Sequence, residues 1–508
     1  MATRVREVER KYDAGGTAMP ALDHVDGVAA VSPPAEDELD AVYYDTDDLR
    51  LIRAGVTLRK RTGGDDAGWH LKLPVGADTR DEIRLPLTEP AGQVPDELAA
   101  LVRVRTRGAP LRAVVHMRTI RRRRWLLDDA GQRLAEIASD AVWADPMNGS
   151  APVTWEEIEV ELAAGGSELL EAVDARLRDA GARPATTATK LERALGDLLR
   201  VAQRGRRQAP AWERQPLTSR SAAGDVVLAY LAKQVRAITD FDPRVRRDEP
   251  DSVHQMRVAT RRARSALQAF KRILSWEQTQ ALCDELKWLA TVLGQARDAE
   301  VLLARFTGQL DAIAPHLVVG PIRGRITAHF TAELSAARQA ALHELDGARY
   351  FTLLDDLDAL LARPPLTGRA ARPAGKVLAT PVKRAAQRLE RALAHAAALD
   401  RGQGGQDDMD TAIHEARKAA KRVRYAAEAA MPALGGAARR LSRRTKKLQE
   451  LLGEHHDNVV ARTILRDIAS EAHAAGEDTF TYGVLYERDA CEALRIERSL
   501  LKPGRTVR

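Results

Sequence analysis

Cysteine is nearly absent, with two in 508 residues. Cys283 and Cys491 stand 208 positions apart without metal-ligand spacing, so they supply neither a disulfide framework nor a zinc site and read as packing residues. Aromatic residues make up only 4% of the chain while Ala, Leu and Arg abound, which favours helices over an aromatic-rich β protein. No apolar run approaches the ~18 residues of a membrane span. The start, "MATRVREVERKYD", lacks the apolar core of a signal peptide. A cytoplasmic protein with no membrane contact is expected. The net charge of +7 is modest for this length, so the clustering of charge says more than its sum.

What is present divides in two. Roughly the first 200 residues alternate with period two in short runs, and the rest has helical period over long stretches. Between them "QRGRRQAPAWERQP" (203–216) is polar, with two prolines and a glycine, and reads as a linker. The expected organisation is a first domain over 1–202, a linker over 203–217 and a helical domain over 218–508. The helical part is itself duplicated, with repeats at about 218–361 and 376–508 divided by "ARPPLTGRAARPAG".

In the first domain, charge sits on alternate positions. Glu7, Glu9 and Lys11 share one strand face; so do Arg59 and Arg61, His70 and Lys72, Glu82 and Arg84, and Glu157, Glu159 and Glu161, mostly with apolar residues between them. One such strand reads as half of a solvated antiparallel sheet. Five, with cations gathered on some and glutamates on others, fit a barrel whose charges face inward. Such a tunnel suits a polyanion held by Arg and Lys, with a hard divalent cation bridging its oxygens to the glutamates. Phosphoryl transfer asks for little beyond that positioning and neutralisation.

In the helical domain one helix is written twice. "HQMRVATRRAR" sets His254, Arg257, Arg261 and Arg264 where "HEARKAAKRVR" sets His414, Arg417, Lys421 and Arg424. At about 100° per residue these offsets fall in one stripe about 80° wide. Stacked like charges destabilise an isolated helix, so an anion should offset them. The alternative is a solvated face neutralised by a neighbouring helix. Downstream, Lys287, Gly294 and Asp298 match Lys446, Gly453 and Asp457; the aspartates read as caps or as partners that orient an arginine. The stripe carries no Asn or Gln for reading bases and no aromatic platform, which disfavours nucleic acid. Inorganic polyphosphate asks for cations alone.

"EVERK" at 7–11 matches the ExExK signature of the CYTH domains, the triphosphate tunnel metalloenzymes, and "TLRKR", "WHLKLP" and "EIEVEL" follow in that family's order. The resemblance implies an α+β domain built on an antiparallel eight-stranded β-barrel tunnel, with Mg2+ or Mn2+ as cofactor. It implies metal ligands at Glu7, Glu9, Glu136 of "LAEIASD", Glu159 and Glu161, with Glu7, Glu9 and Lys11 catalytic. Phosphates would be held by Lys11, Arg59, Arg61, Lys72 and Arg84, with Lys190 closing the tunnel; Thr189 stands where the family usually has serine. In "RTIRRRRWLL", Arg122 and Arg124 face inward if Trp125 packs outward.

The repeated helix followed by "LG...D" resembles the CHAD domain, an all-α module of two related four-helix bundles associated with polyphosphate binding in a basic groove. The resemblance makes His254, Arg257, Arg261, Arg264, Lys287, His414, Arg417, Lys421, Arg424 and Lys446 the ligand residues. His456 stands where the first repeat has Arg297. The expectation is a metal-dependent triphosphatase coupled to a polyphosphate-binding domain, associated in the cell with polyphosphate granules. The alternative is a non-catalytic polyphosphate tether. Inorganic triphosphate, thiamine triphosphate, a nucleoside triphosphate and the polymer all remain open as substrate.

Overall fold

The computed structural model describes residues 3–16, 19–76, 79–87, 92–196, 198–199, 211–400 and 405–500. The chain divides into two compact units, Met1–Gln208 and Ala209–Arg508. Of the expected linker, 203–210 lies outside the described residues and Ala211–Arg214 forms a helical turn. The tail of the second repeat, 501–508, lies outside them as well.

In the first unit the alternating runs become β1 (Thr3–Asp13), β2 (Ala35–Asp45), β3 (Thr57–Thr62), β4 (Gly68–Pro74), β5 (Thr79–Leu85), β6 (Arg112–Leu127), β7 (Arg133–Pro146) and β8 (Val153–Leu162). They pair in the order β1-β5-β4-β3-β2-β6-β7-β8, and β8 pairs back to β1, so the sheet is a closed, antiparallel, eight-stranded barrel. Two-residue strands at Ala30–Val31 and Arg183–Pro184 extend β6 and β1. Closure explains how a sheet can be charged on one face and apolar on the other without leaving an edge.

Two groups of outward-facing apolar residues each lie under a helix. Tyr12, Ile137, Ile158 and Val160 pack with Leu170, Val173 and Leu177 of the helix Ser167–Asp179. Leu58, Trp69, Leu71 and Ile83 pack with Leu98, Leu101 and Val102 of the helix Asp96–Thr106. Each fully buried side chain of this kind is worth about 1.5–3 kcal/mol of transfer free energy. At one end of the barrel the inward positions are apolar too: Ala41, Val115, Met117, Val142 and Ala144 cluster with Leu191, Ala194, Leu195 and Leu199. The chain after β8 returns and stoppers that end.

The second unit is all helical. The first repeat contributes Ala223–Arg246, Ser252–Ala269, Trp276–Asp311 and Ile322–Leu345, and the second Ala379–Asp400, Gln406–Ala429, Met431–Ala474 and Phe480–Leu500. The additional helix Ala348–Ala362 belongs to the first repeat alone. The repeats share a core: Phe306, Ile322, Ile326 and Phe330 interdigitate with Ala461, Leu465, Ile468 and Leu485. The "ARPPLTGRAARPAG" segment is stitched to the first repeat by backbone bonds, Ala223 N to Arg372 O and Thr367 N to Ile273 O, both at 2.9 Å. Among the described residues no helix is long and apolar enough to cross a membrane.

Cys283 is buried as expected, but Cys491 is exposed. The helix Phe480–Leu500 buries Leu485, Asp489, Ala493 and Ile496, and position 491 falls on its far side.

Candidate functional site

Barrel closure turns the charged faces into the wall of a cavity of about 400 Å³, lined by Glu7, Glu9, Lys11, Arg59, Arg61, Lys72, Arg84, Glu136, Glu159, Glu161 and Lys190 among others. Each reaches it because odd positions of β1, β3 and β8, and even positions of β4, β5 and β7, point inward. Two of the expected residues do not. Arg122 is exposed and pairs with Glu36 at 2.8 Å, and Arg124 lies on the same outer face of β6. Trp125 lines the cavity, which fixes the phase of β6 so that Arg121 and Arg123 enter instead. The arginine of Arg133 stacks over the Trp125 ring at 4.5 Å, removing the need for an outer helix there.

The alternation also brings in residues to which the sequence reading gave no role. Arg80 is nearly buried, with Nε 3.5 Å from Glu9. Glu82, fully buried, takes bonds from Arg84 and, at 2.9 Å, from His70 Nδ1. Asp140 accepts from Arg121 at 2.7 and 2.8 Å. Each shares strand parity with a residue already singled out, so the same period-two signal would have found it.

Compensation inside the tunnel is uneven. Asp140, Glu157 and Glu159 bring carboxylate oxygens within 4.8 Å of one another, a spacing compatible with a metal. The ammonium of Lys190 already sits among them, at 2.8, 2.6 and 2.6 Å, and Arg121 bonds Asp140 and Glu159. That group is neutralised by cations, and Glu159 and Asp140 are held below the usual carboxylate range: burial opposes this, and Lys11 and Lys190 outweigh it. Thr189 Oγ1 caps the helix Lys190–Ala194 by accepting from Glu192 N at 3.0 Å, which aims Lys190.

A second row is different. Cross-strand register sets Glu9 opposite Glu161 and Glu161 opposite Glu136, three glutamates side by side on β1, β8 and β7. Like charges directly opposite repel. Among the described residues no cation lies within ion-pairing distance of Glu161, and Arg121, 3.8 Å from Glu136, is shared with three carboxylates. Burial pushes the Glu161 carboxyl up to about 7, with Glu7, Glu9 and Glu159 adding to the shift. Burial likewise raises Glu136. Glu9 has Lys11 at 3.2 Å and Arg80 at 3.5 Å; burial would raise its carboxyl, but Lys11, Lys72 and Arg80 hold it below the usual range, so the surplus is centred on Glu161 and Glu136. Converging hard oxygens of this kind are the donor set of Mg2+ or Mn2+, so the residues fit that cofactor. Glu7 lies beside the row with Lys72 at 2.5 Å and Arg84 at 3.3 Å. Facing the row across the barrel, β3 and β4 carry Arg59, Arg61 and Lys72.

In the helical unit Ser252–Ala269 and Gln406–Ala429 pack against each other. Arg257 reaches Asp298 at 3.0 Å, and Arg417 reaches Asp457 at 3.8 Å. The matched glycines explain how: a Cβ at Gly294 would lie 3.2 Å from the Arg257 guanidinium, and one at Gly453 3.6 Å from that of Arg417. Burial, then Arg261, Arg417 and Arg257, depress the Lys421 ammonium to about 6, so cations of both stripes converge on it. His414 and His456 meet Nδ1 to Nδ1 at 3.2 Å, and burial with Arg417 and His414 lowers His456 to about 4. Burial and Arg297 likewise lower His254. Arg424 turns to Glu428 at 2.8 Å, Lys446 is exposed beside Glu450 at 3.7 Å, and Lys287 is exposed. Arg264 stays at the edge of the stripe with its Nε buried. The cationic centre is thus Arg257, Arg261, Arg417 and Lys421, with the other six around it.

A barrel with a cationic wall facing a carboxylate row and a duplicated helical unit with an incompletely compensated cationic centre make a chain of two modules. Residues 5–193 match the CYTH domain and 229–466 the CHAD domain. The Mycobacterium tuberculosis proteins Rv2226 and MT2285 are each 39% identical over 521 residues, spanning 99% of this chain and 97% of theirs. Among solved structures, the CHAD domain of Ricinus communis is 28% identical with a TM-score of 0.46, covering 59% of this chain and 99% of its own. PptA from Streptomyces chartreusis is 22% identical with a TM-score of 0.45, covering 56% and 98%. The chain belongs to the family in which a CYTH domain, a triphosphate tunnel metalloenzyme module, precedes a CHAD domain.

The carboxylate row makes a stability prediction. Folded, Glu161 keeps its proton to about pH 7; unfolded, it loses it near 4.5. The folded state therefore binds more protons across that interval, and stability falls as pH rises through it and stays reduced above. In chelator, Glu161→Gln should leave urea stability nearly unchanged at pH 4.5 and raise it by ~1–3 kcal/mol at pH 8. Mg2+ should stabilise the parent chain at pH 8 more than the variant. Destabilisation by Glu161→Gln at pH 8 would refute the surplus.

Proposed function

We propose that the barrel is a Mg2+- or Mn2+-dependent triphosphatase and that the helical unit binds inorganic polyphosphate, in a cytoplasmic protein that associates with polyphosphate granules. The observation that carries the reading is the row Glu9, Glu161 and Glu136, with Glu161 at its centre lacking a cation within ion-pairing distance among the described residues, facing Arg59, Arg61 and Lys72 across the tunnel.

Those three glutamates, with Glu7 and Glu159 beside them, would hold the metal. Bound there, the ion would supply charge neutralisation at the phosphate oxygens and polarise the phosphoryl group. Arg59, Arg61, Lys72 and Arg84 bind phosphate oxygens from the opposite wall, with Arg121 and Arg123 in place of Arg122 and Arg124. Lys11 and Lys190 lie beside Glu159 and can pass part of their hydrogen bonding to an arriving phosphate. Holding a triphosphate in line between cations fixed in advance is the main catalytic contribution such a site makes. A non-catalytic grip on chain ends is the second reading, and a hydrolysis assay separates them.

Glu9→Gln removes one member of the row and should lower phosphate release at saturating Mg2+ or Mn2+ by at least ~100-fold, as losses of transition-state charge stabilisation do. Inorganic triphosphate, thiamine triphosphate, a nucleoside triphosphate and polyphosphate would be compared as substrates. Near-normal turnover by the variant on every substrate would reject the assignment. Absence of turnover by the parent chain would favour the grip.

In the helical unit, Arg257→Glu with Arg417→Glu should weaken long-chain polyphosphate binding by several orders of magnitude, since each well-ordered charge-assisted contact is worth roughly 1.5–3 kcal/mol. The anion should also return Lys421 to its charged form. Affinity should therefore fall as pH rises from about 6 to 9, and Lys421→Met should flatten that slope. Titration of labelled polyphosphate at fixed salt reads both; an affinity insensitive to the double reversal would mark the stripe as a solvated face.

A further inference from the structure

Two adjoining concavities of about 320 and 450 Å³ lie on the helical unit, away from the stripe centre, and share Arg272, Pro381 and Arg384. The first adds Lys271, Arg388 and Arg422 to its wall, the second Arg369, Arg372 and Lys376. No Asp or Glu lines either one. None of these eight cations has a carboxylate within ion-pairing distance among the described residues. A concave surface with that much uncompensated charge repels itself unless an anion occupies it.

The repeat supplies an internal control. With a shift of 160 positions, the shift that carries His254 onto His414, Arg422 corresponds to Arg262 and Gln268 to Glu428. Arg262 meets Glu428 across the repeats at 3.2 Å, and Arg424 joins the same carboxylate at 2.8 Å. In the mirrored place Arg422 and Gln268 line one cleft, and the carboxylate has become an amide. The mirrored surroundings are closed by charge pairing and this one is left open.

We infer that this double cleft is a second anion site, which takes a further stretch of linear polyphosphate leaving the central stripe. The inference rests on the reading of the helical unit as a polyphosphate binder. Gln268 lies past the end of the ladder of His254, Arg257, Arg261 and Arg264, one turn or ~6 Å beyond Arg264 on the same helix, so the two surfaces adjoin. Nucleic acid is the less suited occupant: Trp276 is the sole aromatic ring system in the first concavity, and Lys271 Nζ already lies 5.7 Å from its centroid.

The test titrates labelled long-chain polyphosphate into the full chain at physiological salt, with excess tripolyphosphate to occupy the tunnel. Arg384→Gln, Arg388→Gln and Arg422→Gln combined should weaken binding by roughly ten- to hundredfold and lower its salt dependence, since the contacts are partly exposed. Gln268→Glu, which restores the carboxylate of the mirrored site and changes little in size, should weaken it by a few-fold to about tenfold with an unchanged thermal transition. If both variants bind as the parent does while Arg257→Glu with Arg417→Glu does not, the cleft is refuted and the stripe reading stands. If the stripe reversal also binds normally, the reading beneath the inference fails. Single-stranded DNA that displaces polyphosphate from the parent but not from the triple variant would make the cleft a nucleic-acid site and overturn the inference.

Discussion

Charges of like sign brought together away from water must be compensated, and that constraint organises both units. Closing an eight-stranded barrel forces every inward side chain to face the others across a narrow space. Lys190 meets it locally, lying within 2.8 Å of three carboxylates. Removing one partner from such a buried cluster would leave the others unpaired, at a cost of several kcal/mol. In the row of Glu9, Glu161 and Glu136 the outer two have cations beside them, while Glu161 between them has none within ion-pairing distance among the described residues, and its carboxyl is pushed up to about 7. Compensation therefore thins toward Glu161, where a further cation would be accommodated at least cost.

The helical unit meets the same constraint with signs reversed. Asp298 and Asp457 take up part of the charge of Arg257 and Arg417 and hold the guanidinium groups over the two glycines. They do not neutralise the centre, where Lys421 is pushed to about 6 by burial and three arginines. A surplus of carboxylates is complemented by a cation and a surplus of guanidinium groups by an anion, so the two units present one constraint with opposite signs.

Much of this was legible in the sequence, and the misses share a cause. Period two revealed which residues of β1, β3, β4, β5 and β8 share a face, because each run contains apolar residues that fix the phase. β6 was misphased: in "RTIRRRRWLL" the phase was taken from Trp125, whereas Leu126 is the residue buried outside the barrel and Trp125 lines the cavity. Which carboxylates are spent on lysines depends on contacts such as Lys190 to Asp140, 50 positions apart in the chain, and no local pattern reports those. The repeat was visible in charge alone, but that Arg424 turns to Glu428 needed the side chains. The exposure of Cys491 shows the limit of composition as a guide, since the cysteine sits on a helix whose buried face is set by its neighbours.

The stopper formed by Leu191, Ala194, Leu195 and Leu199 gives the tunnel a direction. With the inward positions at that end aliphatic, they offer a phosphate chain no charge partner, so an anion in the cavity is held at the level of the charged residues.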